Sequence, residues 1–174
     1  MRAAPLCIIV VALVSCDHSN PLASHPNAVP RATSVSAASP LTASATGAGN
    51  TLVAGELRTF SFTAQQNQDG TARGTAQVNN RMVNEMFQLD LDCLTVAGNI
   101  AIMSGVITRH TDTTAIGLTG VLGVIDNGAG AGDPPDEVTQ VFFFRPGLVS
   151  CQDVDPALVP PSATPIVGGS VQVH

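Results

Sequence analysis

From residue 57 onward the chain alternates apolar and polar residues with a period of two, and that period constrains the fold more than any other feature. Phe60, Phe62 and Ala64 fall on one face of a first run, and Phe87, Leu89, Leu91 and Cys93 on one face of another, with Gln88, Asp90 and Asp92 opposite. Side chains of a strand point alternately to its two faces, whereas a helix would repeat every three to four residues. Strands are therefore expected at 57–64, 71–79, 86–96, 100–109, 115–125, 138–144 and 171–173. Turn residues separate them: Asp69-Gly70, Gly98-Asn99, and Arg145-Pro146-Gly147. Strand 100–109 is apolar on both faces, as expected of a strand covered on both sides. Strands at intervals of about 8 to 15 residues, with no helical period among them, predict an all-β antiparallel domain, either a β-sandwich or a small barrel-like domain. The glycines Gly74, Gly105, Gly117, Gly120 and Gly123 tilt the expectation toward barrel-like closure, because glycine lets strands bend sharply or approach closely.

The core of such a domain has to come from aliphatic residues and six phenylalanines, since the 174-residue chain contains neither Trp nor Tyr. Thirteen acidic residues face seven basic ones, all arginine, for a net charge of -6. That balance argues against nucleic acid as a partner and against a polybasic grip on anionic lipid. Attachment to a membrane would have to be covalent.

A second apolar run, 6–14, follows a single early charge at Arg2 and ends at Ser15-Cys16. It is too short for a spanning helix, which needs about 20 apolar residues, and has the length of a signal peptide. Leu13-Val14-Ser15-Cys16 resembles the lipobox of bacterial lipoproteins. The resemblance implies removal of 1–15, a diacylglycerol on the Cys16 thiol and an acylated (palmitate-type) new amino terminus. It also implies a place in the bacterial cell envelope, on the extracytoplasmic face, with the membrane as partner through the Cys16 lipid. Acyl chains of this kind anchor firmly when two or more are present. Residues 17–50 show no hydrophobic period and carry Pro21, Pro26, Pro30 and Pro40 among Ser, Ala and Thr. We expect 16–50 to be a disordered tether and the domain to occupy 51–174.

With Cys7 lost in the signal and Cys16 lipidated, Cys93 and Cys151 are the remaining pair in an oxidising compartment, and a disulfide between them is expected; two buried free thiols are the alternative. It would pin the proline-rich segment after residue 144 to the strand at 86–96.

No catalytic constellation stands out. Glycines of a nucleophile elbow are missing around the serines, and His110 and His174 are the two imidazoles within 51–174. Asp90 and Asp92 share one strand face at a spacing compatible with an acid/base pair or a divalent cation, and are read as solvated carboxylates of a half-buried strand. The densest oxygen cluster, Asp126, Asp133, Asp136 and Glu137, could hold calcium, but its spacing is not that of an EF-hand and its Asn-Gly and Pro-Pro steps suit a long turn. The run 138–144 could floor an apolar ligand pocket or simply be core. No cofactor is expected.

Phe60-Ser61-Phe62, Cys93-Leu94-Thr95-Val96 with Gly98-Asn99, Gly105-Val106-Ile107-Thr108, Asp126-Asn127-Gly128 and the closing Gly169-Ser170-Val171-Gln172-Val173-His174 resemble the post-COAP-1 type of domain of secreted bacterial proteins. That resemblance implies an extracytoplasmic β-domain and carries over no functional residue. The expected function is a lipid-anchored binding or structural module rather than an enzyme. The rival is a small-ligand carrier or hydrolase with a site at the 126–137 rim.

Overall fold

One expected turn, Gly98-Asn99, and one not foreseen, Ala54-Gly55, set the geometry of the first strands in the computed structural model, which describes residues 41–130 and 132–174. Ala54 and Gly55 both take positive φ (52° and 84°), the requirement of a tight two-residue hairpin whose twist matches its strands. They join β1 (Leu41–Val53) to β2 (Glu56–Asn67). Gly98, at φ 62°, turns β4 (Glu85–Ala97) into β5 (Ile100–His110), while β3 (Ala72–Asn80) lies between β2 and β4. The fold is all-β and antiparallel, as the alternation predicts.

Pairing continues from β5 to β6 (Thr119–Ile125), from β6 to β7 (Glu137–Thr139), from β7 to β9 (Ala163–Val173), and from β9 back to β1. Eight strands thus close a ring, which removes the free edges that an open sheet would expose. One short strand, β8 (Phe142–Phe144), extends the line of β7 along β6. Between them the register slips by one residue: Val138 faces Val124, but Phe142 faces Val121. At this break Thr139 stands in for the ladder, its hydroxyl accepting from the Gly123 amide (2.9 Å) and donating to the Gln140 carbonyl (2.8 Å). The expected single strand 138–144 is therefore two.

Three other boundaries differ. The final strand begins at Ala163, not at 171, and the start of the expected strand 115–125 is a 3-10 turn, Thr113–Ala115, before β6. The expected tether 16–50 is corrected at its end, because β1 already runs from Leu41 and the β-domain includes 41–50. Its inward positions are Ala45, Gly47 and Gly49, too small to give an apolar signal, because the large residues are on its neighbours. A Cβ at Gly47 would lie 2.6 Å from Val171 and 2.8 Å from the Phe62 ring. Residues 1–40, with Cys7, Cys16 and the rest of the expected tether, lie outside the described residues.

Phe60, Phe62, Leu89, Leu91, Leu94, Met103, Ile107, Leu122 and Val124 fill the inside of the ring. A second apolar cluster lies on the outer face, where Ile102, Val121 and Ile125 meet Cys151 and Val159. Residues 148–162, folded into the short 3-10 turns Cys151–Asp153, Pro156–Leu158 and Pro160–Ser162, form a strap over that face. The two-sided apolarity of β5 and β6 follows from this: one face is ring core, the other is covered by the strap.

Two bulges decide which side chains point where. Leu91 pairs with Gly105 but Cys93 with Ser104, so Asp92 is an extra residue. Leu91 and Leu94 both point inward and Cys93 turns outward, contrary to the simple alternation that groups Cys93 with Phe87, Leu89 and Leu91. There it forms the expected disulfide with Cys151 of the strap, with 5.8 Å between the Cα atoms. The second bulge lies near Thr108, since Leu89 pairs with Ile107 but Phe87 with His110. It turns His110 onto the inner face beside Phe87.

Candidate functional site

The antiparallel order places the β1–β2 hairpin, the turn at 81–84 and the segment 111–118 at one end of the ring. The long 126–136 loop and the Gly98-Asn99 turn lie at the other, where Leu41 also lies. At the first end the inner layer changes character. Continuing inward from Phe62 and Phe60, β2 presents Arg58 and then Glu56; β3 presents Asn80 after Val78; and β4 presents Glu85 before Phe87. Arg58 pairs with Asn80 and Asn80 with Glu85, so the three stand abreast on adjacent strands.

These residues line or border a pocket of about 220 Å³, walled by Val53, Phe60, Val78, Phe87, Leu122, Val138 and Val141, with Arg58 and Glu85 among its polar groups. Phe143, the inward member of β8, closes one side. The Phe87 and His110 rings stack with centroids 5.5 Å apart, and Phe143 meets both edge-on.

The charges here are only partly matched. An Arg58 terminal nitrogen sits 3.6 Å from Glu56, whose carboxylate also accepts from the Asn80 amide at 2.6 Å. Arg58 Nε is buried and has no hydrogen-bond acceptor among the described residues. The His110 ring, with 5% of its side chain exposed, accepts the Asp112 backbone N–H at Nδ1 (2.9 Å). An Nδ1 that accepts carries no proton, so the ring proton belongs on Nε2. Nε2 faces Glu85 at 3.7 Å, beyond hydrogen-bond length. Next to it, the Thr114 backbone N–H and, secondarily, its hydroxyl hold the Asp112 carboxyl below the usual carboxylate range.

The acidic loop at the opposite end does something else. Asp136, buried to 7% exposure, accepts the amides of Asn127 and Val171, both at 2.8 Å. Asp126 accepts those of Gly128 and Val173, both at 3.0 Å, and Asp133 that of Gly130. Asp126 and Asp136 thereby supply acceptors along the side of β9 that does not face β1, beyond the point where its pairing with β7 ends. Glu137 lies outward on β7, paired with Ile125. Among the described residues no group of three or more His, Cys, Asp or Glu side chains converges as metal ligands would. Asp90 and Asp92 are exposed, and a Thr108 hydroxyl approaches Asp90 at 3.4 Å.

The pocket at Arg58 and Glu85 lies at the end of the ring opposite 126–137. Parity could have found Arg58, which shares its face with Phe60 and Phe62, and Glu85, which shares its face with Phe87. His110 could not be placed without the bulge. The chain matches no protein-family model, and comparison with curated proteins and with solved structures finds no significant match.

Proposed function

We propose that the chain is a lipid-anchored protein of the bacterial cell envelope whose β-domain, on the extracytoplasmic face, is a binding module for a small ligand. The ligand site is the pocket between Arg58, Glu85 and Phe143. One observation carries this reading: charged groups occupy inward positions at a single end of an otherwise apolar ring, and Arg58 and Glu85 are incompletely paired there. The Arg58 and Glu85 side chains keep 25% and 36% exposure, so solvent offsets part of the cost of enclosing them and a ligand can reach both, and sites that bind small molecules combine apolar walls with a few convergent polar groups in this way. The rival site at 126–137 loses support because Asp126, Asp133 and Asp136 already hold backbone amides.

A thermal-shift screen of the full chain against a library of small metabolites tests the pocket. Compounds that bind should raise Tm for the wild type and fail to do so for Val141→Trp, which fills the pocket. A library without a single such compound contradicts the reading. The anchor is tested separately, by mass spectrometry of the amino-terminal peptide from the membrane fraction. A diacylglycerol on Cys16 is expected, and an unmodified Cys16 or an intact 1–15 segment contradicts it.

A further inference from the structure

Arg58 and Glu85 flank Asn80 of the strand between them, and the partners they lack are opposite. Among the described residues Arg58 shares a terminal nitrogen with Glu56 but offers Nε to no acceptor, while the Glu85 carboxylate, 36% exposed, faces the His110 ring nitrogen at 3.7 Å, beyond hydrogen-bond length. Glu56 and Arg58 offset one another, which leaves Glu85 as the excess charge. A simple anion would answer Arg58 and be repelled by Glu85; a simple cation would answer Glu85 and leave the arginine short of an acceptor. Below these groups the walls are apolar, from Phe60, Phe87, Leu122 and Val138. The hollow, about 220 Å³, is smaller than the roughly 300–1,000 Å³ of sites for drug-sized ligands.

Resting on the reading of this pocket as a ligand site, we infer that its ligand is a small zwitterion with an apolar body, of the class of a free apolar α-amino acid. Its carboxylate lies toward Arg58, its ammonium toward Glu85 and the Phe87 and Phe143 rings, and its side chain on the floor. Aromatic faces beside a carboxylate favour an ammonium group, and an arginine favours a carboxylate by its planar array of donors.

Calorimetric titration of the full chain with L-leucine, 4-methylpentanoate, which lacks the amino group, and 3-methylbutylamine, which lacks the carboxylate, tests this. Leucine should bind, and each analogue should bind at least about tenfold more weakly, since losing one charged hydrogen-bonding group is worth that much or more. Arg58→Gln should abolish the preference for leucine over the amine, and Glu85→Gln the preference for leucine over the acid. If either substitution unfolds the domain by circular dichroism, the wild-type comparison of the three compounds decides alone. An analogue that binds as well as leucine overturns the zwitterion. So does a screen in which other compounds bind in the pocket and leucine, phenylalanine and valine do not, and in that case the binding module stands. Silence from every compound overturns both.

Discussion

The side chain of Asp136 accepts the backbone amide of Val171, 35 residues away, at 2.8 Å, and with its other oxygen the amide of Asn127 at the same distance. One buried carboxylate therefore holds the start of the long loop and the side of β9 beyond its pairing with β7. Asp136→Ala would leave both amides without a protein acceptor. Hydrogen bonds to a charged group contribute about 1.5–3 kcal/mol each, so a loss of about 3 kcal/mol is expected by urea unfolding. Asp133→Ala, at an exposed position with one such bond, should cost under about 1 kcal/mol. Equal effects would contradict the assignment.

The Cys93–Cys151 bridge closes 58 residues of chain and joins the strap to the ring wall. In the chain-entropy model a loop of that size contributes about 4 kcal/mol. The double variant Cys93→Ser with Cys151→Ser should lose stability of that order. Its amide exchange should accelerate first in 148–162, where the strap loses its tie, and only later in β2 and β3. Uniform acceleration would place the strap inside the same cooperative unit as the ring.

At neutral pH the proton of His110 should be on Nε2, because Nδ1 accepts the Asp112 amide. Long-range ¹⁵N–¹H correlation spectra of the imidazole distinguish the two tautomers directly. A proton on Nδ1 would contradict the hydrogen bond from the Asp112 amide.

Two exposed aspartates fasten turns, and their titration has a defined sign. The hydroxyl and then the amide of Thr71 lower the pKa of Asp69, and the amide and then the hydroxyl of Thr114 lower that of Asp112. A carboxyl whose pKa is depressed by folding contributes stability that is complete above its unfolded value of 3.8 and is lost as pH falls through the lower folded value. Carboxyl shifts followed by NMR should put both midpoints below 3.8, and the amide signals of Thr71 and Thr114 should move with them. Midpoints above that value would contradict these hydrogen bonds.

Much of the fold is legible in the sequence because period two survives wherever one face is core: Phe60 with Phe62, Leu89 with Leu91. The doubled apolarity of 100–109 also reads correctly as burial on both sides, although the strap that covers its outer face has no periodic signature. What is hidden is of two kinds. Small residues conceal β1, where Ala45, Gly47 and Gly49 yield their space to Phe62 and Val171. Bulges conceal direction, since one additional residue at Asp92 turns Cys93 outward to its disulfide and another near Thr108 turns His110 inward. The pocket belongs to the second kind, for its charged residues look like ordinary strand polar positions until the ring places them at one inner end.

We propose that recognition occurs at the Arg58–Glu85 end of the ring. Chemical-shift mapping of the isotopically labelled chain, titrated with the tightest compound from the screen, tests it most directly. Perturbations should concentrate at Val53, Arg58, Val78, Glu85, Phe87 and Val141, with 126–137 unmoved. Perturbations concentrated at 126–137, with the Arg58–Glu85 end silent, would contradict it.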